Sequence, residues 1–213
     1  MEESMLRLGF GAAFPGRDTG ESLRAMEGKL EKGFQRLLLS ARGGEDGFGW
    51  FDLPDSPPEG LFESVAWLGG FDSVVQIGIG GSALGNRMIS SALSHPFYNE
   101  LTRNERMAPR FYIADNADPE KTSAILDMID PSRTAFIVAS KSGSTAETMA
   151  NFLFFLDALD KYGVKDPSRN ILVVTDQEKG ALRSFAGETG CRSLSIPAVV
   201  GGRYSVLSAV GLL

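Results

Sequence analysis

Cysteine is nearly absent. Cys191 stands alone in 213 residues, which excludes an internal disulfide or a cysteine metal cluster. Histidine is as scarce: His95 lies before Pro96 at the end of a helical pattern, away from the glycine-rich loops, and reads as a loop residue. Positive charge is in deficit, with Lys and Arg together 21 against 27 for Asp and Glu, a net charge of -6. A nucleic-acid partner would want a basic face, so that class is disfavoured. An anionic ligand must instead be held by local donors rather than by the field of the whole protein. No long apolar run is present, and Met1-Glu2-Glu3-Ser4-Met5 is acidic where a secretory leader needs positive charge. The expectation is a soluble, cytoplasmic chain with no membrane partner.

Repeats and low-complexity segments are also lacking. At 43% hydrophobic and 23% charged residues, the composition is that of an ordinary globular protein and excludes a disordered chain. The length fits one domain, or one with an appendage. What the chain has in excess is glycine, 25 residues where average usage is ~7%. These glycines gather in loops after apolar runs, where ligand contacts tend to be built.

Leu23, Met26, Leu30, Phe34, Leu37 and Leu38 recur every three or four positions after an irregular start to about Gly20, and predict an amphipathic helix from Glu21. Arg42 to Gly60 is a linker broken by Pro54, Pro57 and Pro58. Trp50-Phe51 within it suits packing on the domain or on a partner. A short helix is expected over 63–67. Residues 1–70 are therefore assigned to an N-terminal helical arm and linker, and 71–213 to the main domain.

There, five short apolar runs begin near Val74, Phe111, Ala135, Ile171 and Leu194. Helical patterns alternate with them over 84–93, 119–129, 146–159 and 179–186. Strands that are apolar throughout, alternating with helices, indicate a parallel sheet covered on both faces. The fold class is α/β, a doubly wound five-stranded parallel sheet of flavodoxin-like order 2-1-3-4-5, with ligands at its carboxyl edge. Phe152, Phe154, Phe155 and Leu156 read as helix core. Asp118-Pro119 signals an N-cap, and Ser144-Thr145-Ala146-Glu147 a capping box. Tyr204 to Leu213 reads as a helix that stops inside an apolar run without a C-cap, as in a fragment of a longer protein.

Three loops carry the chemistry. Gly78-Ile79-Gly80-Gly81-Ser82-Ala83-Leu84-Gly85 follows the first strand and satisfies the dinucleotide pattern Gly-x-Gly-x-x-Gly/Ala, with Asp115 available as a ribose-binding acid. A tight turn with glycines for packing explains the same residues. Ser140-Lys141-Ser142-Gly143-Ser144-Thr145, after the third strand, brings four hydroxyls to a helix N-terminus, a neutral donor cradle suited to a phosphate. Helix capping alone does not call for four hydroxyls. Glu147, by its spacing from Ser144, reads as the return arm of the capping box rather than as a catalytic base. Val200-Gly201-Gly202-Arg203-Tyr204-Ser205, after the fifth strand, aims a guanidinium at the sheet edge, where it would stabilise negative charge on a substrate or form a surface ion pair.

Together these loops resemble the phosphoglucose isomerase family of the sugar isomerase (SIS) superfamily. Ser140 to Thr148 is similar to the phosphate loop of the whole superfamily, while Gly78 to Gly85 and Gly201 to Ser205 are similar to the isomerases themselves. The resemblance runs from about Gly49 to Leu213, the family's first SIS domain; the second is absent. It implies a sugar phosphate, glucose 6-phosphate or fructose 6-phosphate, as the ligand, with no cofactor and no metal. Ser140, Ser142 and Thr145, with the Lys141 and Ser142 amides, would bind the phosphate. Gly81 and Ser82 would line the sugar side, and Gly202 and Arg203 would sit by C1 and C2, with Arg203 stabilising an enediolate. Gly143 departs from the bulky residue of many relatives, which would loosen the phosphate loop. The family's general-base glutamate, its ring-opening histidine from the neighbouring subunit of a homodimer and a lysine near the C-terminus all fall beyond Leu213. Little activity is expected of this chain alone. A stand-alone SIS sugar-phosphate sensor and an NAD-binding oxidoreductase domain are the alternatives.

Overall fold

The computed structural model describes residues 12, 19–42 and 48–213. Residues 1–11 and 13–18 of the irregular start, and 43–47 of the linker, lie outside the described residues. The chain divides into two compact units, 1–45 and 46–213. The first holds helix α1, Thr19–Arg42, in place of the predicted helix from Glu21. No described helix is long and apolar enough to cross a membrane.

The second unit runs α2 (Leu61–Leu68), β1 (Ser73–Ile77), α3 (Leu84–Leu93), α4 (Arg103–Arg106) and β2 (Arg110–Ala114). It continues with α5 (Pro119–Asp127), β3 (Thr134–Ser140), α6 (Ala146–Lys161), β4 (Ile171–Thr175), α7 (Ala181–Thr189), β5 (Arg192–Ser195) and α8 (Ala209–Leu212). The five strands form one sheet of order β2-β1-β3-β4-β5, parallel throughout. This is the doubly wound arrangement expected from the apolar runs. Every residue of β1, β3 and β4 is buried, which is why these runs lack the alternation of a half-exposed strand.

Two apolar layers result, because successive side chains point to opposite faces. Val75, Ile77, Phe136, Val138 and Val173 pack with Phe152, Phe155 and Leu159 of α6 and Leu182 of α7. Val74, Ala135, Ile137, Leu172 and Val174 pack on the other face with Leu61, Leu68, Ala209 and Val210. Helix α2, placed with the arm by the sequence pattern, thus sits on the sheet of the second unit, because Leu61 and Leu68 bury their side chains there. The carboxylate of Asp118 caps α5 as expected, accepting from the Glu120 and Lys121 amides.

One polar residue interrupts the centre of β1. Gln76, 1% exposed, donates from Nε2 to the Ser82 carbonyl (2.8 Å) and accepts from Asn86 Nδ2 (2.6 Å). Asn86 Nδ2 also donates to the Val210 carbonyl (2.6 Å). This network ties α3 and α8 to the middle of the sheet.

The helix expected over 204–213 is broken. Residues 202–207 form 3-10 turns and α8 begins at Ala209. The reason is local competition for the backbone: Ser205 Oγ donates to the Gly202 carbonyl (2.8 Å), Ser208 Oγ donates to the Ser205 carbonyl (2.6 Å), and Ser208 then caps α8. Such bonds offer the chain an alternative to α-helical pairing.

Candidate functional site

Chain connections leave β1 toward β2 on one side and enter β3 on the other, so the crevice at the carboxyl edge between β1 and β3 is the topological switch point. The three loops singled out in the sequence follow β1, β3 and β5.

After β1, residues 80–82 form a 3-10 turn before α3 begins. A methyl group on Gly81 would lie 2.0 Å from the Gly202 carbonyl oxygen and 3.1 Å from the Arg203 nitrogen. Glycine is needed there because the first and third loops meet backbone to backbone. Ser205 Oγ donates across the same seam to the Gly81 carbonyl (3.3 Å). Ser82 is half-buried beside them. Asp115, the candidate ribose acid, is already committed: Arg87 and Lys121 both pair with its carboxylate. Burial raises its pKa, but the Lys121 hydrogen bond and the Lys121 and Arg87 charges outweigh that and hold the carboxyl below its usual range.

After β3, the hydroxyls of Ser140, Ser142 and Thr145 form a triangle. Ser140 Oγ lies 3.0 Å from Thr145 Oγ1 and 3.3 Å from Ser142 Oγ, and Ser142 Oγ lies 3.3 Å from Thr145 Oγ1. The capping box does not form. Thr145, not Ser144, is the N-cap of α6, and it makes no side-chain cap bond. The Thr145 hydroxyl is turned into the triangle, and Ser144 Oγ accepts from the Ala181 amide at 3.4 Å instead. The first-turn N–H groups of a 16-residue helix are therefore left without a side-chain cap, beside three hydroxyls. An anion is the natural complement of such a place. Glu147, no longer a capping arm, is exposed.

Gly143 has φ +66°, and a methyl group on it would meet Thr175 Oγ1 at 2.9 Å and Gly180 Cα at 3.1 Å. The Gly143 amide donates to the Ser140 carbonyl (3.1 Å), which also accepts from Thr175 Oγ1 (2.8 Å). Gly143 is therefore buried, in a left-handed conformation that closes the turn of this loop.

Lys141 points elsewhere. Its Nζ donates to the Ala198 and Val200 carbonyls, both at 2.7 Å. Hydrogen bonds to a charged group are worth ~1.5–3 kcal/mol, against ~2 kcal/mol of rotamer freedom for an immobilised lysine. Even discounted for partial exposure, two such bonds hold the side chain in place. Its backbone lies between Ser140 and Ser142 in sequence, so this residue belongs to the second loop and touches the third.

After β5, Gly202 and Arg203 are exposed at the start of the 202–207 turns. No carboxylate among the described residues pairs with Arg203, so the surface ion pair does not form. Trp50 stacks on Tyr204, ring centroids 5.8 Å apart and planes at 29°, and the Gly49 amide donates to the Val199 carbonyl (3.1 Å). The aromatic pair in the linker thus packs on the domain. Its contact with the third loop, and the reach of Lys141 to it, carry no spacing signal in the sequence.

His95 lies apart, its Nδ1 accepting from the Phe97 amide (3.1 Å). Among the described residues no cluster of three His, Cys, Asp or Glu side chains is arranged for a metal. A cavity of about 370 Å³, lined by Val74, Asn86, Phe111 and Leu213, opens toward the amino ends of β1 and β2 and shares no residue with the three loops.

Residues 62–213 match the family described as phosphoglucose isomerase. Glucose-6-phosphate isomerase from Carboxydothermus hydrogenoformans is 40% identical over 194 residues, which cover 88% of this chain and 42% of that protein. The enzyme of that name from Rubrobacter xylanophilus is 50% identical over 145 residues, 68% of this chain and 33% of that one. Among solved structures, hypothetical protein TT0462 from Thermus thermophilus superposes with a TM-score of 0.81 at 39% identity, covering 98% of this chain and 48% of that one. A glucose-6-phosphate isomerase from Chlamydia trachomatis gives a TM-score of 0.60 at 29% identity, covering 71% of this chain and 27% of that one. The chain spans less than half the length of each of these relatives. It belongs to the phosphoglucose isomerase family.

Proposed function

We propose that the chain is the sugar-phosphate-binding N-terminal part of a cytoplasmic glucose-6-phosphate isomerase, interconverting glucose 6-phosphate and fructose 6-phosphate in the complete protein. The observation that carries this reading is the triangle of Ser140, Ser142 and Thr145 hydroxyls beside the uncapped start of α6. A sugar phosphate carries ~1.5–2 negative charges near neutral pH. Three hydroxyl donors, the Lys141 and Ser142 amides and the helix end meet that charge within an acidic protein. Gly81 and Ser82 line the sugar side. Gly202 and Arg203 lie next to Gly81, where an anchored sugar would place C1 and C2.

Aldose–ketose isomerisation moves a proton between C1 and C2 through an enediolate. It needs a phosphate anchor, positive charge on the enediolate oxygens, and a base. These residues provide the anchor and, through the Arg203 guanidinium, which no carboxylate among the described residues engages, the positive charge. The base and the ring-opening histidine belong to the remainder of the family's protein and its homodimer partner. General acid–base catalysis contributes roughly a hundred- to ten-thousand-fold, so this chain alone binds but turns over slowly. Calorimetric titration of the 213-residue chain with fructose 6-phosphate and with NAD tests the assignment. Fructose 6-phosphate is expected to bind and NAD is not; binding of NAD alone would reverse the conclusion, and full isomerase turnover would refute the division of labour.

A further inference from the structure

The segment 197–203, which delivers Gly202 and Arg203 to the crevice, is held by three successive carbonyls. The Ala198 and Val200 carbonyls accept from Lys141 Nζ at 2.7 Å. Between them, the Val199 carbonyl accepts from the Gly49 amide at 3.1 Å. These carbonyls belong to one turn, closed by the Val200 amide donating to the Pro197 carbonyl at 3.0 Å, so the ammonium and the Gly49 amide both hold that turn. Gly49 is pressed so closely there that a methyl group on it would lie 2.4 Å from Val199 Cγ2. Trp50, next in sequence, stacks on Tyr204, which follows Arg203.

Lys141 sits inside the phosphate loop, one residue from both Ser140 and Ser142, while its ammonium is fixed to the arginine-bearing loop. We infer that the Lys141 side chain is a positioning residue, which ties the placement of Gly202 and Arg203 to occupancy of the hydroxyl triangle. An anion that draws in the Lys141 and Ser142 amides shifts the root of that side chain. The shift passes through two hydrogen bonds to the 198–200 backbone, and from there to Arg203 and the Trp50–Tyr204 stack. This inference rests on the sugar-phosphate reading of the triangle and adds to it a mechanical link between anchor and reacting end.

The experiment uses the 213-residue chain with Trp67→Phe, which leaves Trp50 as the single indole. Inorganic phosphate, which lacks the sugar proposed to meet Gly202 and Arg203, is titrated by calorimetry and by fluorescence. It is expected to change Trp50 emission in that chain. In Lys141→Met, saturating phosphate is expected to leave Trp50 silent, and fructose 6-phosphate is expected to lose at least tenfold more affinity than phosphate does. Lys141→Arg, which keeps a charged donor, restores much of both responses. Phosphate that binds with Lys141 intact but leaves Trp50 unchanged overturns the link alone, as does equal weakening of phosphate and fructose 6-phosphate in Lys141→Met. Phosphate that does not bind at all overturns the sugar-phosphate reading and the link with it. Should Lys141→Met not fold, the Trp50 response with Lys141 intact still decides.

Discussion

Gly81 and Gly202 face each other so closely that a methyl group on the first would lie 2.0 Å from the carbonyl oxygen of the second. Gly81→Ala must force the first and third loops apart. Overpacking of this kind costs ~1–3 kcal/mol, to be read from urea unfolding. The displaced Gly202 and Arg203 should weaken fructose 6-phosphate at least tenfold in titration, while inorganic phosphate keeps its affinity. Wild-type affinity for the sugar phosphate would show that this seam does not shape the site.

Ser142 is the exposed corner of the hydroxyl triangle, so its removal leaves no buried partner stranded. Ser142→Ala should weaken phosphate ligands by ~1 kcal/mol or more without lowering the melting temperature. An unchanged dissociation constant would argue against the cradle.

Gly143 has φ +66° and touches Thr175 and Gly180. Gly143→Ala pays ~1–2 kcal/mol for the left-handed backbone and adds a clash at the foot of the phosphate loop. Thermal unfolding should register the loss, and phosphate affinity should fall with it.

Asp115 predicts a pH response. Its folded-state pKa is lowered, with Lys121 and Arg87 overcoming the effect of burial. The unfolded chain takes up this proton near pH ~3.9, whereas the folded chain resists to lower pH. The contribution is present above pH ~4 and is lost as pH falls through the folded value. Asp115→Asn should be less stable at pH 7 and should lose stability less steeply below pH 4 in urea unfolding. An identical acid limb in both proteins would show that the pair contributes nothing.

The order of strands and helices was legible because burial on both faces leaves a nearly continuous apolar run, and Ala135–Ala139, Ile171–Val174 and, apart from Gln76, Val74–Ile77 are such runs. The Asp118 cap was legible for a local reason: its acceptors and donors lie within three residues. Ser144 failed as a cap because a tertiary partner, the Ala181 amide 37 residues away, takes its hydroxyl. Thr145 is likewise drawn to Ser140. In the candidate site, the hydroxyls and glycines were visible as types and spacings. The grip of Lys141 on Ala198 and Val200 was not, since it spans 57 and 59 positions and any surface lysine would look the same in sequence.

Gln76 has a consequence for how the sheet assembles. Sliding β1 by a single position against β2 and β3 would turn its carboxamide into the layer of Phe136 and Phe155, where Asn86 and the Ser82 carbonyl are out of reach. Leaving such an amide unsatisfied costs ~1–3 kcal/mol, on top of exchanging every valine and isoleucine between faces. This carboxamide among the valines and isoleucine of β1 thereby discourages misaligned pairings, so that the crevice loops emerge at the same height each time the chain folds.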